Sequence, residues 1–230
     1  MKSSAARQLA NPTRCSILNL ADPVMDCSNP FSVRFVQPGA LPWVAPGPEL
    51  EVAELRRRLL SECNARGAII GPHGAGKSTL LHHLIDEEMG NCVRLQMRRH
   101  AQPWRQIRGI LPALGRGQLL VLDGFEQLSP LARMGVRWST WRRGSGLLVT
   151  SHGPCGLPVL ARIAPTPALV WRLVRTRLRA ARVVLPEDAM DALQQHAYAL
   201  LRVHRGNVRE VFMDLYDWFE RFAAQTRSVV

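Results

Sequence analysis

The stretch Gly71-Pro72-His73-Gly74-Ala75-Gly76-Lys77-Ser78-Thr79 constrains this chain more than any other. It meets the spacing G-x-x-x-x-G-K-S/T in full, and its flanks supply the required context. Ahead of it, Gly67-Ala68-Ile69-Ile70 reads as a buried strand; behind it, Leu80 to Ile85 starts a helix. The glycines let the backbone curl until successive N–H groups face one anion. The helix N-terminus adds free N–H groups and the positive end of its dipole. The pattern predicts that Lys77 reaches the β- and γ-phosphates of a nucleoside triphosphate. Ser78 is expected to place its hydroxyl on Mg²⁺. ATP and Mg²⁺ are therefore the expected ligands.

Strands and helices alternate after this point. Cys92–Met97, Gln118–Asp123, Gly146–Ser151 and Pro158–Ile163 read as further strands. Glu49–Cys63, Gln102–Leu114 and Leu128–Arg143 read as helices, the last with Ser129 as N-cap and Pro130 in its first turn. Gly90 reads as the C-terminal cap of the helix after the cradle. Such alternation predicts an α/β fold: a parallel sheet of about five strands between helices, with ligands at the carboxyl ends of the strands. The boundaries divide the chain into a flexible leader (1–28), a nucleotide-binding core with an N-terminal linker (29–165) and an all-helical lid (166–230). Phe31, Val33 and Phe35 alternate with polar residues and suggest a short strand at the start of the core. In the lid, Thr166-Pro167, Pro186-Glu187 and Asn207 open three helices, expected to be too few for a large core of their own. The stripe Val211, Leu215, Trp218, Phe219 and Phe222 on the third reads as packing.

Three groups beyond the cradle carry candidate chemistry. Asp123 closes an apolar strand, where a carboxylate holds Mg²⁺ directly or through water. Glu126, three residues on, is the candidate to orient or deprotonate an attacking water; the alternative is a solvated acid at a helix start. Thr150, Ser151 and His152 end the fourth strand, and a polar side chain among them is expected to sense the γ-phosphate or hold the water, which of the three being left open. The alternative for Ser151 is an ordinary capping hydroxyl.

This ordered set resembles the additional-strand (ASCE) P-loop ATPases, and within them the AAA+ and STAND families. The resemblance spans roughly residues 50–230 and implies a sheet ordered 5-1-4-3-2. Val121-Leu122-Asp123-Gly124-Phe125-Glu126 is similar to the STAND form, in which glycine follows the aspartate and an acid comes shortly after. Gly206-Asn207-Val208-Arg209-Glu210 is similar to the second-sensor motif of AAA+ lids, which implies that Arg209 reaches back to the bound phosphates. The Asp-Glu pair usual in AAA+ proteins is absent. A finger arginine is left open among Arg137, Arg142, Arg143 and Arg162, and a finger supplied in trans would imply an oligomer. Pro38 to Trp43 precedes the core as the adenine-contacting linker does in AAA+ proteins, so Trp43 or Phe35 is expected near the base or, alternatively, as an edge plug. The lettering of the P-loop alone looks like transporter-type ABC ATPases. No Leu-Ser-Gly-Gly-Gln signature precedes Asp123, however, and the interval is too short for the subdomain that carries it.

Composition narrows the function classes. The net charge is +12, and Lys2 and Lys77 are the only lysines. The remaining positive charge is arginine spread along the chain, so coding bias competes with nucleic-acid binding as its origin. Lysine at the cradle fits the need for a compact ammonium. Cys15, Cys27, Cys63, Cys92 and Cys155 form no C-x-x-C pair, which points to reduced thiols and a cytoplasmic setting. No apolar run is long enough for a membrane helix. The expected activity is ATP hydrolysis in a switch or small motor acting on a protein client. The alternatives are a small-molecule or nucleotide kinase, with Arg98-Arg99 or Arg172 to Arg182 clamping a second phosphate, and a nucleic-acid-associated ATPase.

Overall fold

A computed structural model describes residues 29–32, 43–85, 91–97 and 103–227. The expected leader, Val33, Phe35, the Gly90 cap and Arg98-Arg99 lie outside them. Five strands, β1 (Arg66–Ile70), β2 (Cys92–Gln96), β3 (Leu119–Asp123), β4 (Gly146–Ser151) and β5 (Val159–Arg162), form one sheet in the order β2-β3-β4-β1-β5. Every pairing is parallel. Read from the other edge this is 5-1-4-3-2, the order implied by the resemblance.

The central strands β3 and β4 are buried along their whole length, which explains their unbroken apolar lettering. Alternate side chains feed two cores. On one face Leu120, Leu122, Leu147 and Val149 pack with Ile107 of α3 (Pro103–Ile110) and with Ala132 and Val136 of α4 (Pro130–Arg142). On the other, Ile69, Val121 and Leu148 pack with Leu55 and Leu59 of α1 (Val52–Ser61) and with Leu80, Leu81 and Leu84 of α2 (Lys77–Leu84). Period-two alternation along the strands meets a helical stripe on each side. Ser129 caps α4 by accepting from the Ala132 N–H at 3.3 Å. The first helix starts later than its apolar pattern suggests. Pro48–Leu50 forms a separate short 3₁₀ turn before it, and Leu60 faces solvent.

Helices α5 (Pro167–Ala180), α6 (Glu187–Val203) and α7 (Val208–Arg227) follow the sheet. Thr166 caps α5, accepting from Leu169 N–H at 3.2 Å, and Asn207 Oδ1 accepts from Glu210 N–H at 3.4 Å at the start of α7. Against expectation, these helices have a core of their own, built from Val170, Val174, Leu193, Ala197, Val211, Phe212 and Leu215 among others. Phe31 completes it, edge-on to Phe212 and Phe219 with ring centroids 5.8 and 6.1 Å away. Of the short strand expected around Phe31, only residues 29–32 are described, and they form a turn. Asn29 Oδ1 accepts from Phe31 N–H, and Ser32 N–H bonds to Asn29 O, so the segment turns. Asn29 also donates to Tyr216 O and Glu220 Oε1 on α7, which fixes Phe31 in the helical core rather than in the sheet domain.

Among the described residues no helix is long and apolar enough to cross a membrane. Cys63, Cys92 and Cys155 are free thiols.

Candidate nucleotide site

The sheet register gathers the site. Gln96 lies opposite Asp123, Leu122 opposite Val149, and Ile70 opposite Ser151, so the strand ends stop level beside the P-loop. A cleft opens there. His73–Thr79, Gln96, Asp123, Gly124, Glu126, Thr150 and His152 line it from the sheet side. Trp43 and Val44 line one edge, and Leu169, Leu173, Val208, Arg209 and Phe212 line it from the helices. Its volume is about 290 Å³.

In the P-loop, Gly76 adopts φ 96° and hands the chain to α2. Lys77 is buried, and its ammonium donates to the carbonyls of Gly71 at 2.8 Å and Pro72 at 2.6 Å. Burial lowers its pKa, opposed by the carboxylates of Glu126 and Asp123. An arriving phosphate would favour the charged form further. Gly74 permits a close approach from the helical side. It sits at φ 64°, and a Cβ on it would collide with Asn207 Oδ1, so only glycine lets α7 start directly over the loop.

Asp123 is the hub. Its Oδ1 accepts from Ser78 Oγ at 3.0 Å and from Thr150 Oγ1 at 2.6 Å. Thr150 Oγ1 in turn accepts from Gly124 N–H at 2.8 Å. Gly124, at φ 93°, turns the chain after the strand into the 3₁₀ turn Phe125–Gln127, which swings Glu126 back to the cleft. Glu126 Oε1 lies 3.4 Å from His152 Nε2, while Glu126 Oε2 is buried with no hydrogen-bond partner. His152 packs on His73 of the P-loop, ring centroids 3.7 Å apart. Burial lowers the His152 pKa; Glu126 raises it, and Lys77 and His73 lower it further.

Strand β4 ends at Ser151, so of the three candidates His152 lies just beyond it; Thr150 and His152 line the cleft, and Ser151 does not. The period of a strand puts alternate residues on one side. Ser151 instead gives its carbonyl to Gly71 N–H at 3.2 Å. Arg209 is exposed at the cleft wall, above Gly74. Arg137, Arg142, Arg143 and Arg162 do not line the cleft. Trp43 does, held by its indole N–H on Leu50 O at 2.9 Å and its backbone N–H on His83 Nε2 at 3.2 Å. Two participants escaped the sequence reading: Gln96, at the end of an edge strand, and the His73–His152–Glu126 contact, whose members are far apart in the chain. A polar residue closing β2 was the available signal for the first; only the fold reveals the second.

The donor set fits Mg²⁺. Ser78 Oγ and Asp123 offer hard oxygens side by side, and the uncompensated Glu126 Oε2 lies on the same wall. Among the described residues no group of three or more His, Cys, Asp or Glu could hold a metal alone. A cation here would complete its shell with phosphate oxygens and water, as Mg²⁺ does at phosphate sites.

No protein-family model matches the sequence, and no curated protein sequence matches it. Solved structures do. A replication initiator DnaA bound to AMPPCP and single-stranded DNA is similar at TM-score 0.50 and 15% identity, over 80% of this chain and 67% of that one. AMPPCP-bound DnaA from Aquifex aeolicus is similar at TM-score 0.50 and 14% identity, over 84% and 70%. Hsp104 from S. cerevisiae, in a casein complex, is similar at TM-score 0.52 and 14% identity; this chain spans only 40% of it. Sheet order, P-loop and these likenesses agree: the chain has the AAA+-like fold of the additional-strand P-loop NTPases.

Proposed function

We propose that this protein binds ATP with Mg²⁺ in the cleft and hydrolyses it, working as an AAA+/STAND-type switch or small motor in the cytoplasm. The observation that carries the reading is the convergence on Asp123 Oδ1 of Ser78 from the P-loop and Thr150 from β4. A P-loop that bound phosphate for structure alone would not need a strand-end carboxylate bonded to both neighbours. The two DnaA structures hold AMPPCP in the same fold, which supports a triphosphate here.

Each residue then has a task. Lys77 exchanges its loop carbonyls for phosphate oxygens, and the loop N–H groups face the same anion. Ser78 and Asp123 would hold Mg²⁺, which when bound neutralises charge on the phosphates. Thr150 fixes the Asp123 carboxylate and, through Gly124, the turn that aims Glu126. Glu126 positions the attacking water and takes its proton, with His152 holding one carboxylate oxygen. Arg209 reaches phosphate from the helical side, so α5–α7 act as a lid whose position follows the nucleotide. Trp43 packs near the base. Helix α5 turns Leu169 and Leu173 to the cleft, whereas Arg172 and Arg177 bond to the carbonyls of Ala45 and Pro30, an arrangement that weighs against a kinase clamp.

The test pairs ATP binding with phosphate release in wild type, Lys77→Ala and Glu126→Gln. Lys77→Ala should lose binding. Glu126→Gln should keep binding while turnover falls about 10²–10⁴-fold, the scale of a lost general base. Unchanged turnover in Glu126→Gln removes that residue from the chemistry. ADP production that requires an added acceptor makes the protein a kinase.

A further inference from the structure

Helix α4 is apolar on two sides. Its inner side, Ala132 and Val136, belongs to the sheet core. Its outer side carries Leu131, Met134, Trp138 and Trp141, which are 76%, 60%, 60% and 68% exposed. Intervals of three, four and three residues line them up along one edge of the helix. Trp104 of α3, 41% exposed, extends the strip: its ring edge lies 3.6 Å from where a Cβ on Gly135 would stand, so the indole fills the gap that glycine leaves. Single exposed apolar residues are ordinary, but a continuous strip of three tryptophans, a leucine and a methionine is not.

The rim of this strip has one sign of charge. Arg105 and Arg108 on α3, and Arg142 and Arg143 at the end of α4, are exposed, and neither helix contains an acid. The Arg142 guanidinium stands 5.7 Å over the Trp138 ring. None of these residues lines the nucleotide cleft.

We propose that this strip docks a protein partner: an amphipathic helix, apolar on the face laid along α4 and acidic on its flanks. Anchors at i, i+3, i+7 and i+10 fit helix-on-helix docking; tryptophan and arginine concentrate binding energy at interfaces, and methionine is enriched there. Charge complementarity selects the occupant. Two copies of this chain meeting through the strip would set arginines against arginines. Single-stranded nucleic acid would use the indoles and arginines for stacking and phosphate contact, but it gives Leu131 and Met134 nothing to do.

Fluorescence anisotropy with synthetic helical peptides tests this. One labelled peptide carries leucine and phenylalanine on one face and glutamates on both flanks; its twin has lysines in place of the glutamates. The full-length protein should bind the glutamate peptide at least ~10-fold more tightly than the lysine twin. The pair Trp138→Ser and Trp141→Ser should weaken glutamate-peptide binding ~10-fold or more, with nucleotide binding unchanged. Arg142→Glu with Arg143→Glu should reverse the preference between the peptides. These positions are exposed, so thermal melts should match wild type. Failure of the wild type to bind the glutamate peptide overturns the proposal, as does binding that ignores the tryptophan or arginine changes. Oligo-dT binding lost in the tryptophan variant would assign the face to nucleic acid instead. Self-association lost in that variant would assign it to a second copy.

Discussion

On the floor of the cleft Lys77, Asp123 and Thr150 are buried and tied by hydrogen bonds of 2.6–3.0 Å to the P-loop and to each other's strand ends. On its roof Arg209 is exposed, and the helix that carries it packs into a separate core sealed by Phe31. The floor is therefore organised before ligand arrives, held level by the parallel register. The roof depends on how the helical core is seated, and at the P-loop Asn207 of that side comes down on Gly74. The difference suggests a division of labour. The P-loop, Asp123 and Thr150 belong to the sheet and its loops, whereas Arg209 sits on helices that bury a separate cluster, so in the proposed reading the helices are the part whose position follows the nucleotide.

Substitutions can pull the two apart. The largest effect is expected from Phe31→Ala, which empties a fully buried aromatic position in the helical core and should cost about 3–5 kcal/mol in the unfolding of that part. The comparison predicts a melt in which the helices loosen before the sheet, with a P-loop still able to bind nucleotide weakly. A single unchanged transition would mean that floor and roof are one unit. Next comes Arg209→Ala. Loss of a charge-assisted contact to phosphate, worth about 1.5–3 kcal/mol, should weaken ATP affinity roughly 10–100-fold and ADP affinity much less. Equal losses for both nucleotides would take Arg209 away from the γ-phosphate. The smallest is Thr150→Val, which leaves Gly124 N–H and one bond to Asp123 unmade in a buried place, at about 1–3 kcal/mol of stability. Because the change acts through Asp123 and the Glu126 turn, the rate of phosphate release should drop more than ATP affinity. A rate that follows affinity would place Thr150 in binding alone.

Much of the floor was legible in the chain itself. The P-loop is a local motif whose glycines, lysine and serine are adjacent in sequence, so its geometry needs only its own strand and helix. Asp123 was readable because an apolar run ends on it, and the helix caps at Ser129, Thr166 and Asn207 because capping is a matter of neighbouring residues. The place of Phe31 was not, since an alternating pattern over a few residues cannot say that Asn29 will turn the chain and bond to α7. Nor was the choice between Thr150 and His152 on one side and Ser151 on the other, which rests on the pleat and on the register with β1 and β3.

By itself, then, the sequence determined a phosphate cradle, the alternation of strands and helices and the acids that could serve it, because these depend on contacts within a turn or two of chain. Only the tertiary structure decided that Glu126 meets His152, that His152 packs on His73, that Asn207 closes on Gly74, and that α4 shows a second apolar face to solvent. The contacts join residues far apart in sequence, and the outer face of α4 is set by which of its sides the sheet buries; both follow from parallel strand pairing and from the burial of three separate hydrophobic cores.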